Sequence, residues 1–366
     1  MPRILILASI SKAFYNFSFE FLEELRRQDF EVILSIPADP LNREFERIGC
    51  IVEPAPLNRH GMNPFAELRL LGHYIHLMRR WKPDAAMSFT IKPNTYGGMA
   101  ARLCRIPFLA SVTGMGTVFY NDSAVNRVIR QMLRAGLSHA SCIFFQNDES
   151  LSEFQKRKMF RCAFCRIPGS GVNLEKRPFL PYPAEGKIRF LMEARASREK
   201  GVSEYITAAG ILREKYPECE FHYAGFTEES ASGEQLRNAA SQGLIQYHGF
   251  LNNDQIGELM KDIHCVVLPS YHEGMSNVLL EGAAYGRPLL CSDVPGCRET
   301  VLDGESGFTF APRSPEALAQ AMEKFVKLSH PQKAAMGKCG REYIAGHFDR
   351  NLTISRYFGE IRKVLK

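Results

Sequence analysis

Short apolar runs alternate with longer amphipathic segments along the whole chain. ILILAS is followed by FSFEFLEELRRQ, in which Phe17, Phe21, Leu22 and Leu25 recur at helical spacing. The alternation continues through EVILSIP, DAAMSF, FLASVT and CIFFQ, and later through IRFLMEA, EFHYAGF and CVVLPS. This βαβα order predicts an α/β protein with doubly wound parallel sheets, covered by helices on both faces.

Prolines and glycines interrupt the alternation near the middle of the chain. The segment between Ile167 and Lys187 holds Pro168, Pro178, Pro181 and Pro183 together with three glycines, a density that breaks regular elements. A chain of 366 residues also suits two domains. We therefore predict a Rossmann-like domain over 1–168, a linker over 169–186, a second Rossmann-like domain over 187–345, and a terminal helix over 346–366 that packs back on the first domain. Ligands of such sheets collect at the carboxyl ends of the strands, so we expect the site in a central cleft that the two domains face.

Composition narrows the class of protein. The apolar runs are too short to span a membrane, and MPRILILASI is typical of a first strand and not of a signal peptide, so we expect a cytosolic location. The basic charge lies in the first half: the residues up to Pro183 hold 24 Lys and Arg against 16 Asp and Glu, and the remainder holds 22 against 24.

Within the basic half, the stretch EFQKRKMFRCAFCR mixes cations with Phe154, Phe160 and Phe164. Such a mixture suits an anionic membrane surface, with the rings at headgroup depth. A nucleic-acid contact and a solvated helix face remain open for this stretch.

Ten cysteines are scattered along the chain, and the one C-x-x-C, Cys162 to Cys165, has no second pair to complete a zinc site. Several others, including Cys265 and Cys291, fall in strand-like apolar runs. We expect buried, reduced thiols and neither a metal nor a redox centre.

Two segments of the second half carry candidate chemistry. Arg195 and Lys200 follow directly on the strand-like run IRFLM, where two cations suit a diphosphate. Further on, Glu273 and Glu281 lie eight residues apart in EGMSNVLLE, after the apolar run CVVLPS. Gly274 leaves room for a ligand, Ser276 or Asn277 could cap a helix, and the helix amides would then face phosphate. One carboxylate could hold a ribose diol and the other a sugar ring, although two surface glutamates flanking a core helix remain the alternative.

The second half resembles the family 4 glycosyltransferases of the GT-B fold, through ARASREKG and through the continuous segment YHGFLNNDQIGELMKDIHCVVLPSYHEGMSNVLLEGAAYGRPLLCSDVPG. The resemblance implies that Arg195 and Lys200 hold the diphosphate, that Glu273 faces the donor sugar and that Glu281 binds the ribose. It assigns Glu273, Arg195 and Lys200 to catalysis, and it implies donor contacts from Phe250, Leu251, Gly274, Met275, Ser276, Asn277 and Val278, with the main chain near Phe250 and Leu251 reading the base. The family retains anomeric configuration and generally needs no metal, and the ten aspartates here contain no D-x-D pair.

The first half resembles a bacterial subgroup through SFTIKPNTYGGMAARLCRIPFLASVTGMGTVF, FYNFSFEF and HGMNPFAELR. That subgroup transfers N-acetylgalactosamine or a related hexose to an undecaprenyl-diphosphate-linked sugar. The resemblance implies a UDP-sugar donor, UDP-GalNAc being favoured, a polyprenyl-diphosphate-linked acceptor, and peripheral contact with the inner face of the plasma membrane, with no cofactor, no metal and no nucleic acid. It favours membrane contact for the stretch EFQKRKMFRCAFCR.

Many members of the wider family have a histidine in the first domain, near the reacting carbon, and the first half departs from them at this position. The corresponding stretch, VTGMGTV, contains none, so the resemblance identifies no general base. Other histidines, His60, His73, His76 and His272, are more typical of structural roles, and His272 is the candidate adjacent to Glu273.

Three other functions compete with the transferase. A UDP-sugar 2-epimerase would have a similar two-domain shape and would act without an acceptor. A dinucleotide-dependent oxidoreductase would be expected to have a G-x-G-x-x-G motif after a strand, and the sequence contains none. A non-catalytic nucleotide-sugar-binding protein would bind the donor without turnover.

Overall fold

The computed structural model describes residues 1–58, 63–119, 122–227 and 230–365. Its backbone contacts divide the chain into two compact units. The first unit consists of residues 1–170 and 351–366, and the second unit consists of residues 171–350.

The first unit is built on a seven-stranded parallel sheet. The strands are β1 (Arg3–Leu7), β2 (Glu31–Ile36), β3 (Ile51–Pro54), β4 (Ala85–Phe89), β5 (Phe108–Val112), β6 (Cys142–Phe145) and β7 (Ala163–Arg166). Their order across the sheet is β3-β2-β1-β4-β5-β6-β7. The helices are α1 (Ser11–Arg27), α2 (Asn42–Arg47), α3 (Pro64–Trp81), α4 (Gly98–Cys104), α5 (Ala124–Leu137) and α6 (Asp148–Lys156), with a π turn (Pro93–Gly97) and a 3-10 turn (Thr117–Phe119).

Both faces of this sheet are covered, which explains why its strands read as continuous apolar runs. In β1, Ile4 and Ile6 belong to one buried cluster, and Leu5 and Leu7 belong to the cluster on the opposite face. Side chains alternate between the faces of a strand, so each face needs its own apolar residues.

The second unit is built on a six-stranded parallel sheet. The strands are β8 (Arg189–Glu193), β9 (Glu220–Ala224), β10 (Gln246–Tyr247), β11 (Cys265–Leu268), β12 (Leu289–Ser292) and β13 (Gly307–Phe310), in the order β10-β9-β8-β11-β12-β13. The helices are α7 (Val202–Lys215), α8 (Ala231–Ser241), α9 (Asn253–Met260), α10 (Asn277–Ala284), α11 (Pro315–Val326) and α12 (His330–His347), with 3-10 turns at Arg198–Lys200 and Arg298–Thr300. This is the strand order of a Rossmann fold, so both units have the doubly wound architecture that the apolar pattern predicts.

The segment predicted as a linker, 169–186, packs on the second unit from Gly171 onward. Phe179 lies so close to Gly286 that a Cβ there would be 2.4 Å from its ring. Tyr182 donates to the carbonyl of His264 at 3.2 Å, and Arg287 donates to the carbonyl of Pro181 at 2.9 Å. The prolines and glycines break helices and strands here, but the segment is held by side chains of the second unit.

The terminal helix, α13 (Arg350–Val364), packs in the first unit. Ile354, Tyr357, Phe358 and Ile361 are buried in the cluster that also contains Ile4 and Ile6. The ring centroids of Tyr357 and Phe144 are 4.8 Å apart. The apolar residues of the C-terminal segment therefore belong to the core of the N-terminal sheet.

The basic and aromatic stretch at 153–166 differs from its predicted arrangement. Phe154 is buried and stacks on Phe119 with a centroid distance of 4.9 Å, and Phe160 packs against Phe145 at 5.4 Å. Of the three rings that were expected at headgroup depth, Phe164 is the exposed one. Phe154 and part of Phe160 are therefore packed against the first unit and not free to reach a headgroup layer.

Candidate functional site

The strand order of the second unit places a crevice between β8 and β11. The order reverses between these two strands, and in doubly wound sheets such a reversal opens a ligand site at their carboxyl ends. The loop after β8 spans 194–200, and the loop after β11 spans 269–276. All four charged residues assigned from the sequence lie on these loops or on α10, which follows the second loop.

Gly201 brings the two loops together. Its φ is +74°, and a Cβ at this position would lie 2.2 Å from the carbonyl oxygen of Pro269. The amide of Tyr271 also donates to the carbonyl of Glu199 at 2.9 Å. Only glycine allows both this left-handed conformation and this close approach, so Gly201 is required for the loops to meet.

Lys200 and Glu273 form an ion pair across the two loops. Ser270 also donates to Glu273, with 2.8 Å between Oγ and Oε1. Arg195 lies on the same loop as Lys200, where its Nη2 is 3.2 Å from Oε1 of Glu199. The sequence predicted a separate ligand contact for each of Lys200 and Glu273, and the structure brings the two into direct contact.

The N-terminus of α10 is capped by Ser276. Its Oγ accepts a hydrogen bond from the amide of Leu279 at 3.4 Å, so Ser276 and not Asn277 is the capping residue. The amide of Ser276, expected among the phosphate-binding groups, donates instead to the carbonyl of Gly296 at 2.8 Å. Met275 is buried in the core of the unit, whereas Val278 is partly buried against it.

Glu281 lies on the second turn of α10 and pairs with Arg177. The distance from Arg177 Nε to Glu281 Oε2 is 3.2 Å, and both side chains are largely buried. The carbonyl of Arg177 is held in turn by Arg341 Nη1 at 2.6 Å. Burial is the largest single influence and lowers the pKa of Arg177, but the charge and hydrogen bond of Glu281, together with Tyr285 and Glu193, raise that pKa above its ordinary value. Sequence reasoning missed Arg177, because it lies 104 residues from its partner in the predicted linker.

Glu193, at the carboxyl end of β8, is a third acid of this region. Its Oε2 is buried and has no hydrogen-bond partner within the described ranges. Burial first, and the charge of Glu281 second, raise the pKa of Glu193 to about 8, while Arg177 acts in the opposite direction. This rise in pKa comes from burial in the fold, which no spacing in the sequence signals.

Two aromatic rings lie on the loops after β9 and β10. Phe250, assigned from the sequence, stacks on Phe226 with a centroid distance of 4.3 Å and an interplanar angle of 14°. Both rings are about half exposed, and Leu251 is partly buried. Sequence reasoning missed Phe226, although AGF and HGF repeat the same glycine–phenylalanine signal after two neighbouring strands.

Two of the histidines noted in the sequence have defined surroundings. His272 lies next to Glu273, and burial lowers the pKa of its imidazole. His73 is 3.0 Å from the hydroxyl of Ser35 through Nε2, a structural contact in the first unit. His60 lies outside the described residues.

Within the described ranges, no three or more His, Cys, Asp and Glu side chains are grouped so that they could hold a metal ion. Cys265 and Cys291 are buried, as the sequence predicts, whereas Cys162 and Cys165 are partly buried. Nor is any described helix both long and apolar enough to cross a bilayer.

Two protein-family models match the chain. The model described as "Glycosyl transferase 4-like" matches residues 3–147, and the model described as "Glycosyl transferases group 1" matches residues 177–343. The second match contains every charged residue of the site described above, from Arg177 to Glu281.

Individual relatives extend over the full length. The N,N'-diacetylbacillosaminyl-diphospho-undecaprenol alpha-1,3-N-acetylgalactosaminyltransferase of Campylobacter jejuni is 26% identical, with 100% of this chain and 99% of that protein aligned. The crystal structure of Anabaena Alr3699/HepE in complex with UDP and glucose has a TM-score of 0.80 at 18% identity, and covers 99% of this chain and 100% of its own. Sucrose-phosphate synthase from Thermosynechococcus elongatus has a TM-score of 0.77 at 18% identity, and covers 99% of both chains. At such identities the two structural likenesses show a shared fold.

Proposed function

The chain belongs to the group 1 glycosyltransferases, family 4, with the GT-B fold, and from this premise we propose that it transfers a hexose or an N-acetylhexosamine from a UDP-sugar to an undecaprenyl-diphosphate-linked sugar. UDP-GalNAc is the favoured donor. The reaction would serve the assembly of a bacterial surface glycan or protein-linked glycan, at the inner face of the plasma membrane. The name of the Campylobacter relative, which aligns over the full length, supports both the sugar and the lipid-linked acceptor.

One observation carries the donor part of the proposal. The loops after β8 and β11 meet at Gly201 and bring Arg195, Lys200 and Glu273 to the carboxyl ends of adjacent strands at the point of reversal. A nucleotide sugar there has its diphosphate near the two cations and the N-terminus of α10. Glu281 accepts hydrogen bonds from the ribose, and Phe226 and Phe250 offer aromatic faces to the base.

The chemistry proposed for this site is a retaining transfer without metal. The bond between the sugar C1 and the β-phosphate oxygen breaks, UDP leaves, and the acceptor hydroxyl oxygen bonds to C1 on the face that UDP vacates. The proton of the hydroxyl passes to an oxygen of the leaving β-phosphate, so no protein base is required. Arg195 and Lys200 stabilise the charge that develops on UDP. When the diphosphate binds Lys200, the ion pair between Lys200 and Glu273 breaks. The carboxylate of Glu273 can then bind the donor sugar.

The activity test offers the purified protein a panel of UDP-sugars with EDTA, with and without a short-chain polyprenyl-diphosphate sugar. We expect release of UDP that depends on the acceptor, and NMR of the product should show the anomeric configuration of the donor. Acceptor-independent isomerisation of the sugar would identify a 2-epimerase instead. Donor binding without turnover would point to a non-catalytic protein, and loss of transfer in EDTA would overturn metal independence.

Two variants separate the roles of the acids. Glu281→Ala should weaken UDP binding, measured by calorimetry, because the ribose loses its acceptor. Glu273→Ala should mainly lower kcat, because its contact is with the transferred sugar. Rates equal to wild type for both variants would contradict these roles.

A further inference from the structure

Three helices cover one face of the sheet in the first unit. Helix α3 packs on α4, and α4 packs on α5. Their inward residues join one buried cluster with the sheet: Leu70, Tyr74, Leu77, Met78, Ala100, Ala101, Leu133 and Leu137. The outer side of this helical layer is therefore a single surface, which we call the α3–α5 face.

Helix α3 presents large apolar side chains on this outer surface. Phe65 is 82% exposed and Leu68 is 64% exposed. Arg69 and Arg79 are exposed on the same helix. Positions 65, 68, 69, 72, 76 and 79 recur at helical spacing, so the apolar and the basic residues share one side of α3.

The neighbouring helices repeat this composition. On α4, Leu103 is 64% exposed next to the exposed Arg102. On α5, Val125 and Val128 are 50% and 59% exposed, and Arg127 and Arg134 are exposed beside them. Soluble proteins seldom gather exposed large apolar side chains on neighbouring helices unless the surface binds something apolar.

The charge of the α3–α5 face has one sign. Seven exposed arginines lie on these helices or at the residue that ends α4: Arg69, Arg79, Arg80, Arg102, Arg105, Arg127 and Arg134. The one acid within the three helices, Glu67, is paired with Lys92, and Asp122, just before α5, is paired with Arg130. Of the seven, Arg80 has an acidic partner, Glu53 at 3.2 Å.

We propose that the α3–α5 face docks the protein on an anionic lipid bilayer. Phe65, Leu68, Leu103, Val125 and Val128 enter the boundary between headgroups and acyl chains, and the arginines pair with lipid phosphates. A surface that combines apolar side chains with uncompensated cations is typical of interfacial membrane binding. This inference rests on the proposed function, because a lipid-linked acceptor requires the enzyme at a membrane.

Charge argues against the other occupants of this face. A symmetric contact with a second copy would bring the same arginines of both copies together without acids to neutralise them. Nucleic acid would satisfy the arginines but would leave Leu68, Leu103 and Val128 without an apolar partner. The surface also differs from the predicted one at 153–166, where Phe154 is buried and Phe160 is partly buried against the core.

The test measures sedimentation of the full chain with vesicles of phosphatidylglycerol and phosphatidylcholine, and with phosphatidylcholine alone. Arg127→Gln with Arg134→Gln should lower partition onto the anionic vesicles about 30-fold, at about 1 kcal/mol for each arginine. Phe65→Ser with Leu68→Ser should lower it as well, and neutral vesicles should bind weakly. The control, Lys156→Gln with Arg161→Gln, removes two exposed cations from the stretch 153–166. Its partition onto anionic vesicles should stay within about twofold of wild type.

Thermal unfolding of each variant, followed by circular dichroism, should match wild type, since all four side chains on the face are exposed. Transfer to a short-chain, water-soluble acceptor should also be unchanged, whereas transfer to an acceptor embedded in vesicles should fall with binding. Loss of vesicle binding in the control alone, equal binding by all variants, or a stronger preference for RNA than for anionic vesicles would overturn the docking face. Arginine-dependent binding without transfer to any acceptor would leave the docking face standing and overturn the proposed function.

Discussion

At the scale of single residues, the pairing of Arg177 with Glu281 sets the properties of the proposed ribose site. The pair is largely buried, so each charge depends on the other for its stability in the fold. The carbonyl of Arg177 is fixed by Arg341, which restrains the segment that carries it. Arg177 is thus a positioning residue for Glu281 and does not itself have to touch the donor.

Arg177→Ala should weaken UDP binding by about tenfold, which corresponds to about 1.4 kcal/mol, because Glu281 loses the cation that orients it. Arg177→Lys should recover part of the loss, since it restores the charge without the planar fork. Calorimetric titration with UDP measures both variants. Arg237→Ala, at an exposed position of α8, is the matched control, and equal affinities for all three would contradict the positioning role.

Glu193 should make stability fall as the pH rises. Its folded pKa of about 8 lies above the ordinary carboxyl value, so its contribution to stability is fully present below the ordinary value and is lost as the pH rises from there to about 8. Glu193→Gln keeps a neutral side chain, so it should melt a few degrees above wild type at pH 8.5 and near wild type at pH 5. Melting curves across this range measure the difference.

Glu220 provides the control of opposite sign for that experiment. Hydrogen bonds from Lys187 and then Arg189 lower its pKa to about 2. The stability it contributes is present above the ordinary carboxyl value and is lost as the pH falls toward 2, so Glu220→Gln should melt below wild type at pH 8.5. A Glu193→Gln curve parallel to that of wild type would show that Glu193 is ionised in the fold.

At the scale of elements, the turn between β8 and α7 determines whether the site forms. Gly201 has a left-handed backbone and touches the carbonyl of Pro269, so it joins the two loops that carry Lys200 and Glu273. R-E-K-G is visible in the sequence, but the close approach of Pro269 is not, because it depends on how β8 and β11 pair.

Gly201→Ala should destabilise the protein by at least about 2 kcal/mol, since alanine disfavours this φ and its Cβ would overlap the Pro269 carbonyl. Donor binding should fall with it. Gly210→Ala, within α7, has open space around its Cβ and should instead stabilise by about 0.5–1 kcal/mol. Chemical denaturation compares the two, and a neutral Gly201→Ala would contradict the strain argument.

At the scale of the whole molecule, the chain ends in the unit in which it begins. Helix α13 completes the core of the N-terminal sheet, although the residues immediately before it belong to the second unit. The sequence shows the apolar residues of α13 as a helical pattern. The contacts of Tyr357 with Phe21 and Phe144 show that these residues pack on the N-terminal sheet.

Tyr357→Ala should destabilise the first unit by about 3–5 kcal/mol, because it leaves a large cavity among aromatic neighbours. Hydrogen exchange should show the lost protection in β1 and α1 and little change in β12. Leu352→Ala, on an exposed position of the same helix, is the control and should cost less than about 1 kcal/mol. Equal effects of the two substitutions would contradict the packing of α13 in this core.

Local spacing was sufficient to predict the two parallel sheets and a helix that Ser276 or Asn277 caps. Each of these depends on neighbours within a few turns of chain, and hydrophobic period and capping chemistry act at that range. Tertiary structure alone paired Arg177 with Glu281, left an oxygen of Glu193 buried without a hydrogen-bond partner among the described residues, buried Phe154, and gathered the exposed arginines of three helices on one surface. Those outcomes depend on contacts between distant segments, which no local pattern encodes.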